Sequence, residues 1–265
     1  MAKEYTRIWH SDSLELIEAR YVTYAFPRHM HDTFVFCVIE SGAELLRWAG
    51  HNATAGPGQI LCINPGVVHA GESATHDGYA YRGIYPSAEL VSEVAQEMTG
   101  RNWTPDFAHP VVNDPSLAQE LSQIISKIET TGDSLETESL IRTWLSKLIE
   151  RHPAHRPDTI SIGIESQSVD LAREFIHAYF ADPISLGDIS RAAGLSPYHL
   201  GRVFAGQVGM PLHAYCVNLR VNHAKRLLRS GCPIAEAAVE SGFTDQSHLN
   251  KWFKRLVGLT PGQYA

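Results

Sequence analysis

Two periods of apolar residues divide the chain. From about Ile8 to Tyr85, short β-branched and aromatic runs are broken by Gly, Pro and Asn, the pattern of strands separated by turns. Phe34 to Ile39 is apolar throughout, as in a strand covered on both faces, so alternation alone does not say whether Phe34 and Phe36 or Val35 and Cys37 point inward. Glu40-Ser41-Gly42 turns the chain into Ala43–Trp48, Gly50-His51-Asn52 turns it again, and Ala55 to His69 carries the next run. Regularly spaced short strands of this kind predict a small barrel or sandwich.

After Pro86 the period lengthens to 3.6. Leu90, Val94 and Met98 mark one helix; Leu117, Leu121, Ile124, Ile125 and Ile128 a second; Leu140, Ile141, Trp144, Leu145, Leu148 and Ile149 a third. The last two carry more apolar surface than a small barrel readily covers, which points to a helix-mediated homodimer. Arg151–Pro157 holds prolines and charge without a period, placing a linker over residues 151–166 between a domain at 1–150 and one at 167–265. A helix from near Ser168 then buries Val169, Ala172, Ile176 and Tyr179.

The rest of the chain says nearly the same thing twice. His199-Leu200, Phe204 and Val208-Gly209 recur 49 residues later as His248-Leu249, Phe253 and Val257-Gly258. Each copy follows a short apolar helix: Leu186, Ile189 and Ala193 closed by Gly194, then Ile234, Ala237 and Ala238 closed by Gly242. Ser196-Pro197 and Asp245 read as caps of the second helices, which bury Leu200, Val203 and Phe204 in one copy and Leu249, Trp252 and Phe253 in the other. Helix, glycine turn, helix is the helix-turn-helix pattern, whose second helix enters a DNA major groove. Pro211 to Gly231 supplies a helix connecting the two. A helical bundle duplicated for packing is the alternative, but packing does not explain why both second helices keep a polar face beside a capped N-terminus.

Composition qualifies this picture. A net charge of −7 looks wrong for a nucleic-acid binder until it is divided: from Ser166 onward ten basic residues stand against seven acidic, net +3, and twelve against twenty-two before it, net −10. A basic module attached to an acidic one fits DNA binding that is weak without sequence recognition and sensitive to salt. Cys37, Cys62, Cys216 and Cys232 lack C-x-x-C spacing and read as buried reduced thiols. No run approaches the roughly 20 apolar residues of a membrane span and no signal core opens the chain, so a cytoplasmic protein without membrane partners is expected.

Two resemblances follow. Leu186–Leu200 and Gly242–Leu249, closing with Gly258-Leu259-Thr260-Pro261-Gly262-Gln263-Tyr264, resemble the DNA-binding domain of AraC-type transcriptional regulators. Arg28-His29-Met30-His31-Asp32, Gly56-Pro57-Gly58 and Asn64-Pro65-Gly66-Val67-Val68-His69 resemble the cupin-type sensor domain that many such regulators carry. Together they imply an N-terminal all-β cupin-like barrel with added helices for effector sensing and dimerisation, and a C-terminal all-α domain with two helix-turn-helix units. The function implied is sequence-specific transcriptional regulation controlled by a small-molecule effector, without enzymatic activity or cofactor. Double-stranded DNA is the partner, with RNA polymerase added if the protein activates.

Carried over by position, the resemblance gives Tyr198, Gly201 and Arg202 in the first copy and Gln246, Ser247, His248 and Lys251 in the second as base-reading candidates, with Lys254 and Arg255 as phosphate contacts. For His199 and His248, packing or phosphate contact stands beside base reading. Where the family often has basic residues after the Phe of the first recognition helix, this chain has Ala205-Gly206, so the second copy is expected to grip DNA more tightly.

His29 and His31 alternate on a strand, and a cupin fold brings His69 near them. Three imidazoles can bind a divalent ion, but the carboxylate expected four or five positions after the second His is replaced by Val35 and Phe36. The reading is therefore an effector pocket without metal, drawing on His29, His31, Trp48, His69 and Arg82, with Phe34, Phe36, Arg47 and Tyr81 as further candidates. A metal-dependent cupin enzyme held together by the helical domain is the rival from another class, and control by a protein partner a third reading.

Overall fold

The computed structural model describes residues 4–11, 14–100, 103–131, 134–152 and 164–265. Contacts divide the chain into two units: Met1–Ala25 with His31–Pro157, and Phe26–Met30 with Asp158–Ala265. The linker expected over 151–166 falls largely outside the described residues.

In the first unit the strands are β1 (Tyr5–Ser11), β2 (Leu14–Tyr21), β3 (Val35–Ser41), β4 (Glu44–Trp48), β5 (His51–Ala55), β6 (Ile60–Ile63), β7 (His69–Ser73), β8 (Tyr79–Tyr85) and β9 (Val111–Val112). They form a six-stranded sheet in the order β1-β2-β8-β3-β6-β9 and a three-stranded sheet in the order β5-β4-β7. The expected barrel is thus not closed: among the described residues no ladder joins the two sheets.

Register settles which side chains face which way, because directly paired residues share a face. Phe36 pairs with Cys62 and Ile84, and Leu16 pairs with Ile84. All belong to a core built with the helices α1 (Ala88–Thr99), α2 (Pro115–Thr131) and α3 (Ser134–Arg151). Phe34 and Phe36 therefore face the helices, stacked with ring centroids 5.6 Å apart and packed edge-on against Phe107, and Phe36 also meets Trp144. The Trp144 indole N–H donates to the Leu117 carbonyl at 3.0 Å, tying α3 to α2. Cys37 pairs with Gly83 and Ile39 with Tyr81, so these turn to the opposite, inner side of the sheet.

The apolar residues expected on α2 and α3 are buried in this one core, apart from Leu140, which packs partly buried against it. The surplus that suggested a helix-mediated dimer is therefore covered within the chain. On α1 the buried stripe is Val91, Val94 and Ala95, while Met98 is 40% exposed, so the predicted face is one position out.

The second unit holds α4 (Ile164–Tyr179), α5 (Leu186–Ala193), α6 (Pro197–Val208), α7 (Leu212–Arg229), α8 (Ile234–Glu240), α9 (Gln246–Val257) and α10 (Pro261–Tyr264). Val169, Ala172 and Ile176 of α4 are buried as expected, but Tyr179 and Leu186 are exposed. Arg220 of α7 donates to the Phe180 and Asp182 carbonyls at 2.6 and 3.1 Å, satisfying the chain end that leaves α4. The short segment grouped here is held by Arg28, donating to the Gly209 carbonyl at 2.5 Å, and by the Met30 N–H, donating to Asn218 Oδ1 at 3.2 Å.

Candidate nucleic-acid interface and sensor site

The repeat produces the same local geometry twice. Ser196 Oγ accepts the His199 N–H at 3.3 Å at the start of α6, and Asp245 Oδ1 accepts the His248 N–H at 2.8 Å at the start of α9. Leu200 and Phe204, and their counterparts Leu249 and Phe253, are fully buried. Gly209 and Gly258 close the two helices at φ 83° and 84°, in the left-handed region that favours glycine. The helix before each has its own stop. Gly242 is the more demanding one: φ is +80°, and a Cβ there would lie 2.6 Å from the Ala181 carbonyl oxygen.

On α9, Gln246, Ser247, Lys251, Lys254 and Arg255 are exposed, and the helix carries no acidic residue. His248 is different. Trp252 Nε1–H donates to its Nε2 at 3.1 Å, Thr244 Oγ1 lies 3.4 Å from its Nδ1, and Phe243 packs against its ring edge-on. Both ring nitrogens thus have neighbours within the helix pair, so the packing role left open by the sequence has direct support. Arg255 lies over the Trp252 ring at 5.3 Å. On α6, Gly201 is half-buried, no basic residue occupies the last turn, and the side chains of Tyr198 and Arg202 lie outside the described residues.

In the first unit, the ladder places Trp48 directly opposite His69, Leu46 opposite Gly71 and Glu44 opposite Ser73, all on one face of the smaller sheet. His31 packs against His69 with ring centroids 5.2 Å apart and edge-on to Tyr85 at 5.3 Å. His69 Nδ1 lies 2.9 Å from the Val67 carbonyl, and His29 Nδ1 2.8 Å from that of Pro27; a neutral ring in that contact carries its proton on Nδ1. Within the first unit, His31 and His69 each offer a ligand nitrogen within 4.8 Å of the other, and the usual carboxylate is missing, since Val35 and Phe36 are buried apolar side chains.

The other pocket candidates separate. Arg82 shares a face with Ile84 rather than with the tyrosines: it pairs with Glu18 at 3.4 Å and Glu129 at 3.6 Å and donates to Ser126 Oγ at 3.0 Å, bracing β8 against α2. Arg47, half-exposed, pairs with Glu72.

The alternation of Tyr79, Tyr81, Gly83 and Tyr85 puts three phenols on the inner side, joined by Tyr21 across the ladder from Tyr79. Of these, Tyr81 alone is among the candidates read from the sequence. The period-two spacing of tyrosines in β8 was the signal that could have found the others.

Comparison with known proteins agrees with this division. Residues 13–145 match the AraC-like ligand binding domain, and residues 189–265 match a helix-turn-helix domain. The chain is 33% identical over 224 residues to YbfI of Bacillus subtilis (strain 168), an uncharacterized HTH-type transcriptional regulator, covering 84% of this chain and 81% of that one. It is 26% identical over 232 residues to the arabinose operon regulatory protein of Salmonella typhimurium, covering 84% and 80%. The fold resembles that of ToxT from Vibrio cholerae, with a TM-score of 0.59 at 16% identity over 95% of this chain and 97% of that one. A ligand-binding domain followed by a helix-turn-helix domain, both matched in sequence, places this chain in the AraC family of transcriptional regulators.

Proposed function

We propose that operator recognition is divided between two helix-turn-helix units, with α6 and α9 as their recognition helices, and that an effector held on the inner side of the first unit changes operator affinity. The observation that carries the DNA half is α9: a capped, acid-free helix whose buried side is fixed by Leu249 and Phe253 and whose exposed side offers Gln246, Ser247 and Lys251 to bases and Lys254 and Arg255 to phosphates. The doubled cap geometry supports the same role for α6 through Tyr198, Gly201 and Arg202. His248 acts from within, holding Trp252 and the turn.

For the sensor half, His31, Trp48 and His69 on one inner surface support an effector site, with Arg82 bracing its wall and His29 kept as a further candidate. The family matches favour a binding protein over a cupin enzyme. We infer a cytoplasmic homodimer whose interface lies outside the apolar faces of α2 and α3, which the first unit's own core covers, and which meets RNA polymerase if its output is activation; no helix of the described chain is long and apolar enough to cross a membrane.

Footprinting of the full-length protein identifies the operator, and titration at fixed salt then tests the assignment. Lys251→Ala is expected to weaken binding about tenfold, within the ~1–3 kcal/mol of a base contact, and more than Arg202→Ala. Equal or reversed losses contradict the asymmetry.

A further inference from the structure

One buried acid on the inner side of the first unit has no assigned role. Glu44 is 7% exposed, at the start of β4 between Ala55 and Ser73 of the neighbouring strands. Its carboxyl lies over Gly71, where a Cβ would come within 2.2 Å of Oε1, so that glycine makes the room the carboxyl occupies. Among the described residues no cation pairs with it, and burial pushes it up to about 8 while Tyr79 acts in the opposite sense. Its charge is felt by Tyr21, Tyr79, Tyr85 and Cys37, so all four lie within its electrostatic reach. Tyr79 and Tyr81 stack with centroids 5.8 Å apart, and Tyr21 leans on both at 6.0 and 6.2 Å. The fully buried Tyr79 hydroxyl lies near enough to the Glu44 carboxyl to act on it as a hydrogen bond does, though the contact falls short of good hydrogen-bond geometry.

A carboxyl without a cation partner in such a place is costly when charged, because a buried charge loses its hydration and one phenol hydroxyl compensates only part of it. A glutamine would offer hydrogen bonds to a neutral ligand at the same position without that cost. What glutamate adds is the capacity to carry negative charge once a cation displaces its proton, and the surrounding phenol rings add a second attraction of the same sign, since their faces draw cations. A ligand carboxylate would gain no ionic partner here, and an ammonium group would meet both attractions at once. We propose that the inner side of the first unit receives an ammonium-bearing ligand, its cation seated against the Glu44 carboxylate and the rings of Tyr21, Tyr79 and Tyr81. This rests on the reading of the first unit as the effector-binding domain and names the effector's chemical class.

The test uses the full-length protein, calorimetric titration and thermal shift at constant ionic strength. The probes are choline, tetramethylammonium and putrescine, with 3,3-dimethylbutan-1-ol as the uncharged shape match of choline. Neutral polyols and short carboxylates form the second set. The expected result is binding of at least one cation, none by the uncharged match, a loss of more than tenfold with Glu44→Gln, and most of the affinity kept by Tyr79→Phe, which retains the ring. Glu44→Gln keeps the size of the side chain and its ability to accept from Tyr79, and is expected to fold. Three results overturn the proposal: no cation binds, the uncharged match binds equally, or Glu44→Gln changes nothing. Binding by polyols or carboxylates, equal in wild type and Glu44→Gln, also overturns it while leaving the effector reading intact. That reading fails separately if operator affinity is the same with and without whichever compound binds.

Discussion

Glu44 shows how a single residue sets a measurable pH dependence. Its folded carboxyl is raised to about 8 by burial, against an ordinary value of 4.5, so the folded state holds a proton the unfolded chain has released across that interval. Stability contributed by the protonated form is complete below about pH 4.5 and is lost as pH rises toward 8, at up to about 1.4 kcal/mol per unit. The groups in its electrostatic reach are Tyr21, Tyr79, Tyr85 and Cys37, all raised by burial, so none of them titrates in that window. Denaturant unfolding from pH 5 to 8 is expected to show a falling stability in the wild type and a flatter profile in Glu44→Gln. Matching slopes would show that Glu44 is ionised and paired throughout. At the opposite sign, Glu4 is held at about 2, first by the Thr23 N–H and then by those of Val22 and Tyr24 against the opposing effect of burial, and its contribution disappears only as pH falls from about 4.5 toward 2.

His248 is the site candidate to whose surroundings the structure adds most. Its position in the repeat is legible, but its two side-chain neighbours, Trp252 one turn on and Thr244 before the cap, become neighbours only once the helix is formed. His248→Ala is expected to lower thermal stability as well as operator affinity. An unchanged melting temperature with lost affinity would restore a direct base contact. The inner and outer faces of β3 were likewise illegible, because a strand covered on both sides has no polar alternation to read. Only the register with β6 and β8 assigns Phe36 to the helices and Cys37 to the inner side.

Elements were legible where local chemistry fixes them. Ser196-Pro197 and Asp245 begin α6 and α9 as their side-chain caps require, and Gly194 and Gly242 end the preceding helices with positive φ. The two glycines differ in what surrounds them. At Gly194 nothing lies within 4 Å of an added Cβ, so Gly194→Ala is expected to cost only the ~1–2 kcal/mol of left-handed strain. At Gly242 the Ala181 backbone blocks the Cβ, so Gly242→Ala is expected to cost clearly more by equilibrium unfolding; equal losses would mean that the Ala181 turn yields freely. The α1 stripe was misread by one position because Leu90, Val94 and Met98 follow one helical row, while packing takes the adjacent row of Val91, Val94 and Ala95. Tyr179 and Leu186 were misread because they sit at the two ends of the connection from α4 to α5, where periodicity no longer reports burial.

Across the whole molecule, charge and architecture agree. A domain of charge −10 precedes one of +3 whose α9 has no acidic residue, so an acidic protein carries a locally cationic helix face. The modest +3 means that attraction to phosphates alone is weak, and discrimination has to come from base contacts. The measurement that tests this most directly is the affinity of the full-length protein for its footprinted operator against a shuffled duplex of the same length, at about 0.15 M salt. The predicted result is a preference of at least about a thousandfold for the operator, reduced about tenfold or more by Lys251→Ala. Equal affinity for the two duplexes, or a preference that Lys251→Ala leaves untouched, would contradict the account of α9 as the principal reader.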